Sequence, residues 1–360
     1  VDDLSQSDKG EVKQLMKRNI MLVLLTGCIF SATFIYATGF KLVDDINTTL
    51  TCHIRYAFLS EYDIRENKYD ISLSTAMLSL RGELYQWLKF KLSCELREVS
   101  GGEPYEYTLS LEDIYAEHEF YDFLSLRFGR FKVPFGEEIF LGAGERPYID
   151  HTETTDGISP GRDLGIMASG SNIWDLFGYD ASISTGNVII MPEDTTLSYL
   201  LTGKIFVRYN KKDFIDIKAG YNGYYHYFHS VVSQHELAQG FFASLTWQPD
   251  KIQKLSFLSE YAERVQIRNV INQTLDWRRG LTGILSYRYD FIEPVLVFDW
   301  YDRSLLDSDT DKGLIALRVG TAAYFLKDDL LRFKLLYRIN QPLNGEESIQ
   351  TISAIIQLEY

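Results

Sequence analysis

Three features of the chain predict an all-β fold, a transmembrane antiparallel barrel of about sixteen strands. About sixteen segments alternate apolar and polar residues with a period of two, the signature of strands with one greasy and one wet face. The links between them alternate long and short, as when outer loops are long and inner turns short. The last segment, 348–360, keeps its alternation to the end: Ile352, Ala354, Ile356, Leu358 and Tyr360 share one parity, Ser353, Gln357 and Glu359 the other, with Ile355 the exception. A closed barrel needs its last strand to pair with its first, because lipid offers no partner to an open edge.

The first 37 residues are set aside from the fold. Lys17 and Arg18 precede an apolar run from Ile20 to Tyr36, with small residues Ser31, Ala32 and Ala37 after it. This is the pattern of a secretory signal peptide; a membrane anchor is the alternative. Residues 38–360 form one expected barrel domain.

The strands are expected, in order, at 48–60, 70–82, 87–98, 107–117, 122–133, 162–170, 177–187 and 199–209, then at 214–223, 239–247, 253–263, 277–289, 292–301, 313–324, 330–340 and 348–360. The third is the clearest. Leu88, Phe90, Leu92, Cys94 and Leu96 oppose Lys89, Lys91, Ser93, Glu95 and Arg97. The fifteenth repeats it, with Leu331, Phe333, Leu335, Tyr337 and Ile339 against Arg332, Lys334 and Arg338. The even count puts both chain ends on the side of the short turns. The 24 tyrosines and 22 phenylalanines suit aromatic girdles, with Tyr179, Tyr209, Tyr221, Trp247 and Tyr337 at expected strand ends. The 8 prolines suit long ladders.

A net charge of −14 argues against a nucleic-acid partner. Of three cysteines, Cys28 lies in the leader, and Cys52 and Cys94 lie in strands with no CxxC or neighbouring histidine, so neither a metal nor a cofactor is expected. No Gly-x-Ser-x-Gly, His-Glu-x-x-His or phosphate-binding glycine loop occurs. Glu137 and Glu138 are adjacent, and neighbouring strand residues point opposite ways, so they make no catalytic pair. A secreted β-rich hydrolase and a non-conducting barrel are the competing classes.

Four stretches carry a family resemblance: MLSLRGEL at 77–84, LEDIYAEHEF at 111–120, RFGRFKVPFGEE at 127–138 and PGRDLGIMASG at 160–170. In order and spacing they resemble the phosphate-selective porin O and P family. Gly129, Phe131, Lys132, Pro134, Phe135 and Gly136 match its first motif, and Arg162, Asp163 and Gly165 its second. The resemblance implies a sixteen-stranded trimeric barrel in the Gram-negative outer membrane, passing small anions such as phosphate or polyphosphate. It also implies that the long loop after the fifth strand, 134–161, folds inward and narrows the pore. The family's arginines before the alanine of its second strand are missing here: Leu73, Ser74 and Thr75 precede Ala76.

An anion pore needs bases along its water path. Parity and cost of exposure to lipid nominate Lys89, Lys91, Arg97, Arg127, Lys204, Arg208, Lys218, Arg318, Arg332, Lys334 and Arg338. Lys132 and Arg130 join them from the motif. Acids are expected in the same space: Glu95, Asp113, Asp180, Asp216, Glu260 and Asp299. Asp302, Asp307, Asp309 and Asp311 crowd one outer loop, suited to cations that bridge lipopolysaccharide. A general or cation-preferring porin is therefore the alternative. The remaining expected partners are outer-membrane lipid and the barrel-assembly machinery, the latter through the strand ending in Tyr360.

Overall fold

The computed structural model describes residues 41–45, 48–84, 87–99, 106–186, 197–211, 214–229, 233–268, 276–305, 313–325 and 330–359. The expected leader, Tyr360, Asp307, Asp309, Asp311 and the Arg97 side chain lie outside them.

Strand β1, Lys41–Asp45, is short. The barrel strands are β2 Thr48–Asp63, β3 Lys68–Leu84, β4 Leu88–Val99, β5 Glu106–Tyr121, β6 Leu124–Lys132, β7 Arg162–Ile173, β8 Phe177–Ser184 and β9 Leu197–Lys211. They continue with β10 Ile215–His229, β11 Ser233–Trp247, β12 Gln253–Arg268, β13 Asp276–Tyr289, β14 Ile292–Leu305, β15 Leu314–Phe325, β16 Leu331–Pro342 and β17 Ile349–Glu359. Each pairs antiparallel with the next, and β17 pairs with β2 from Thr351 opposite Asp63 to Glu359 opposite Arg55. The sheet closes into a sixteen-stranded barrel. β1 covers the start of β2, with Lys41 opposite Thr51, and so continues the line of β17.

The two faces are inverted relative to a water-soluble protein. Ile205 and Leu109 are 63% and 67% exposed, whereas Arg318, Lys204 and Lys334 are 1%, 2% and 2% exposed. Apolar side chains point out and charged ones point in, as lipid demands. Among the described residues no helix is long and apolar enough to cross a membrane; the strands do the crossing.

Most strands are longer than expected, mainly at their long-link ends, whereas β6 and β8 are shorter. β10 runs to His229 and β11 starts at Ser233, so the link expected at 224–238 shrinks to 230–232. The first link shrinks likewise, to 64–67. Beyond the apolar belt the outer face no longer has to be greasy, so the alternation fades while the hydrogen-bond ladder continues. Where the chain can leave the ladder, at 133–161 between β6 and β7, it forms a 3₁₀ turn, Glu138–Phe140, and a short helix α1, Glu153–Ile158, begun by the Thr152 side chain accepting from the Thr155 N–H.

Candidate functional site: the barrel interior

Residues 133–161 leave β6 and hydrogen-bond to strands across the barrel. Both feet of the segment are fixed by the motif residues. Pro134 ends the ladder, and the Val133 N–H donates to the Gly161 carbonyl at 2.8 Å. Gly136 takes φ +79°, open to glycine at little cost. Phe135 is buried edge-on against Tyr224, 5.1 Å between rings. Fully buried Asp163 accepts from the Leu164 N–H at 2.8 Å and the Thr185 hydroxyl at 2.7 Å, tying β7 to the end of β8. At Gly165 a side chain would strike the Ile183 carbonyl. Gly129, at φ +126°, lies against the Ile114 carbonyl. The motif residues thus shape the segment's departure and return.

Three carboxylates hold the segment in place. Glu260 of β12 accepts from the N–H groups of Glu137 and Glu138, the latter at 2.8 Å. Asp299 of β14 accepts from the Glu153 N–H at 2.5 Å and the hydroxyls of Thr154 and Thr282 at 2.6 and 2.9 Å. Glu138, in the segment itself, has no exposed surface. It accepts from the Tyr148 hydroxyl and the Thr152 N–H, both at 2.9 Å, and from the Thr152 and Thr155 hydroxyls. Burial acts to raise its carboxyl. His151 at 3.6 Å and the two threonine hydroxyls outweigh that and hold it at about 2. An apolar seat completes the docking: Tyr148 and Ile149 pack on Ala57, Leu258, Ile284, Val297, Leu336 and Ile355.

Most of the nominated bases are spent on this docking or on neighbouring acids. Lys334 donates to the Ala143 carbonyl at 2.8 Å, and Arg318 to the carbonyls of Asp150 and His151 at 3.0 and 3.1 Å. Arg332 donates to the Gly144 carbonyl and pairs with Glu359 at 3.0 Å. Arg338 pairs with Glu153 at 2.5 Å, and Lys132 donates to the Ile139 carbonyl at 2.6 Å. Lys204 and Lys218 share Glu137. On the other wall Lys89 pairs with Glu119 at 2.8 Å, Lys91 with Asp113 at 2.5 Å and Arg127 with Glu117 at 2.5 Å; Arg208 pairs with Asp216 at 2.7 Å. Arg130 stands in the ladder between Ile114 and Leu164, both exposed apolar residues. The reason is the period of two: Arg127 and Arg130 are three apart and take opposite faces.

The structure also brings together three bases that parity did not nominate. Arg264, Arg278 and Arg303 stand opposite one another on β12, β13 and β14. All three face inward and converge on Asp276, at 3.6, 2.8 and 3.5 Å. The next carboxylate along that wall, Glu236, is 3.3 Å from His226. Among the described residues the guanidiniums therefore outnumber the carboxylates on this stretch. The Nε groups of Arg264 and Arg303 are buried and, among the described residues, have no hydrogen-bond partner. Arg264 and Arg303 escape the parity reading because the expected strands stop at 263 and 301, one and two residues short of them; Arg278 lies within its expected strand, 277–289, and gains its neighbours only through register. Among the described residues no cluster is arranged to hold a metal ion.

Comparison with known proteins agrees with this architecture. The family model for phosphate-selective porin O and P matches residues 46–188. No curated protein matches the sequence. Among solved structures, OmpF of Salmonella typhi in complex with daunomycin superposes with a TM-score of 0.65 at 11% identity, over 89% of this chain and 100% of that one. The outer membrane channel DcaP of Acinetobacter baumannii gives 0.62 at 11% identity, over 90% and 100%. An anion-selective porin from Comamonas acidovorans gives 0.57 at 14% identity, over 87% and 100%. In fold the chain is a sixteen-stranded outer-membrane porin barrel, and over residues 46–188 it matches the family of phosphate-selective porins O and P.

Proposed function

We propose that the protein is a passive outer-membrane channel for small hydrophilic anions, with segment 133–161 as its constriction. The observation that carries the anion preference is the inward row Arg264, Arg278 and Arg303, which converges on Asp276 and, among the described residues of that stretch, outnumbers its carboxylates Asp276 and Glu236. Guanidiniums bind oxyanions through paired N–H groups, and low-dielectric walls focus their field into the water path. Phosphate is the anion that the family match suggests. A homotrimer in contact with lipopolysaccharide, each barrel inserted by the barrel-assembly machinery through the C-terminal strand, is the accompanying proposal; one solved relative, OmpT of Vibrio cholerae, has a trimer form.

A second reading, a general or cation-preferring pore, is favoured by a different observation: most of the other nominated bases are countered by acids or by the segment's carbonyls. Reversal potential across a potassium chloride gradient in a planar bilayer separates the two. Under the anion reading it lies on the chloride side, phosphate reduces the current, and Arg264→Gln with Arg303→Gln moves it toward potassium. A potassium-side potential that the double variant leaves unchanged overturns the anion reading.

A further inference from the structure

The wall opposite the docked segment contains a break in alternation that places two carboxylates side by side. On β5, Leu111 and Ile114 are both exposed, 50% and 37%, although they are three residues apart. Between them Glu112 and Asp113 are both buried on the inner face, 6% and 4% exposed. The register explains this. Leu92 of β4 opposes Ile114 and Cys94 opposes Leu111, so Glu112 and Asp113 share the single partner Ser93. The Asp113 N–H donates to the Ser93 hydroxyl at 2.9 Å, which fixes the bulge. A bulge adds one residue to one strand and re-aims side chains.

The added carboxylate alters the local charge balance. Asp113 already meets both Lys91, at 2.5 Å, and the Arg162 Nε, at 2.8 Å. Glu112 takes the other side of the Arg162 guanidinium and accepts from the Ser110 hydroxyl at 3.0 Å. Farther down the same wall, bases and acids pair one to one, Lys89 with Glu119 and Arg127 with Glu117. Without the bulge, Lys91 and Arg162 would share one acid and leave one positive charge facing the lumen. With it, these two bases meet two carboxylates, with Lys132 and Arg130 close by. Arg162 stands where the segment re-enters the ladder, and its side chain keeps 23% exposure while its guanidinium meets the inward acids Glu112 and Asp113.

We infer that Glu112 sets the pore's ion preference, weakening its attraction for anions by neutralising Arg162 at the foot of the constriction. This rests on the porin reading above and adds a determinant on the wall across from the arginine row.

The test uses the full chain in planar bilayers under a potassium chloride gradient. Glu112→Gln keeps the size and removes the charge. It should move the reversal potential toward chloride, a roughly two-fold rise in the chloride-to-potassium permeability ratio. Arg162→Gln, which leaves the acid in excess, should move it toward potassium. The double variant removes one charge of each sign and should return the wild-type value. Opposite shifts that cancel in the double variant support the inference; single variants that conduct at the wild-type potential, or shift in the same direction, overturn it. If Glu112→Gln does not insert, Arg162→Gln and the double variant still decide. A wild-type protein that forms no channel would overturn the porin reading itself and this inference with it.

Discussion

Glu138 shows how a single buried charge can organise a segment. Its carboxyl is held at about 2 against an ordinary value near 4.5, so the group stabilises the docked segment when ionised. The sign follows from linkage: this contribution is complete above pH 4.5 and disappears as pH falls from there toward 2. A shift of that size corresponds to about 3 kcal/mol. Glu138→Gln should lose stability by about that amount at neutral pH and flatten the acid limb, as measured by urea unfolding in detergent at pH 7 and pH 3. Asp156 behaves oppositely. Enclosure by the barrel, and then the charges of Glu138 and Glu153, push its carboxyl up to about 6. Above pH 6 it adds a negative charge to the lumen; below, it does not. The chloride-to-potassium permeability ratio should therefore rise as pH falls through about 6, and Asp156→Asn should remove that inflection. A ratio flat between pH 7 and 5 would contradict this.

At the scale of elements, the strand ladder was legible and the interior was not, for a common reason. Alternation reports only what each face touches. The apolar residues on the inner parity, Leu258, Ile284, Val297, Leu336 and Ile355, look like errors in a polar lumen until Tyr148 and Ile149 are seen packed on them. Ile355, the exception in the terminal alternation, is part of that seat. The sequence signal for the docked segment was thus present as violations of pattern on five strands, together with the glycine and proline that start its departure. The arginine row was hidden because three residues on separate strands become neighbours only through register, and two of them lay past the expected strand ends. The seat gives a direct prediction. Ile355→Ala should cost about 2–4 kcal/mol and leave a cavity under Tyr148. The same change at Ile356, on the outward parity, should cost less in urea unfolding. Single-channel records should show added current noise for Ile355→Ala only, because only that change loosens the segment.

At the scale of the whole molecule, closure depends on one seam. β2 offers its edge to two partners in line: β17 covers it from Asp63 to Arg55, and β1 covers it from Thr51 to Thr48. Every other strand has a neighbour close in sequence, whereas β17 and β2 meet across nearly the whole chain. This is the pairing with the largest loop-closure cost. Its two halves are unequal. Removing Ile349–Glu359 strips the ladder from both β16 and β2 inside the apolar belt, where an unpaired N–H or C=O costs several kcal/mol. Such a chain should show no heat-modifiable, folded band in gel electrophoresis and no channel activity. Deleting Lys41–Asp45 uncovers only the four positions at the start of β2. Those lie at the short-turn end, where water can replace the lost partners. That variant should keep the folded band and the wild-type conductance, with a modest fall in unfolding temperature. If both deletions abolished folding alike, β1 would be part of the barrel wall; if neither did, the seam would not be what holds the barrel shut.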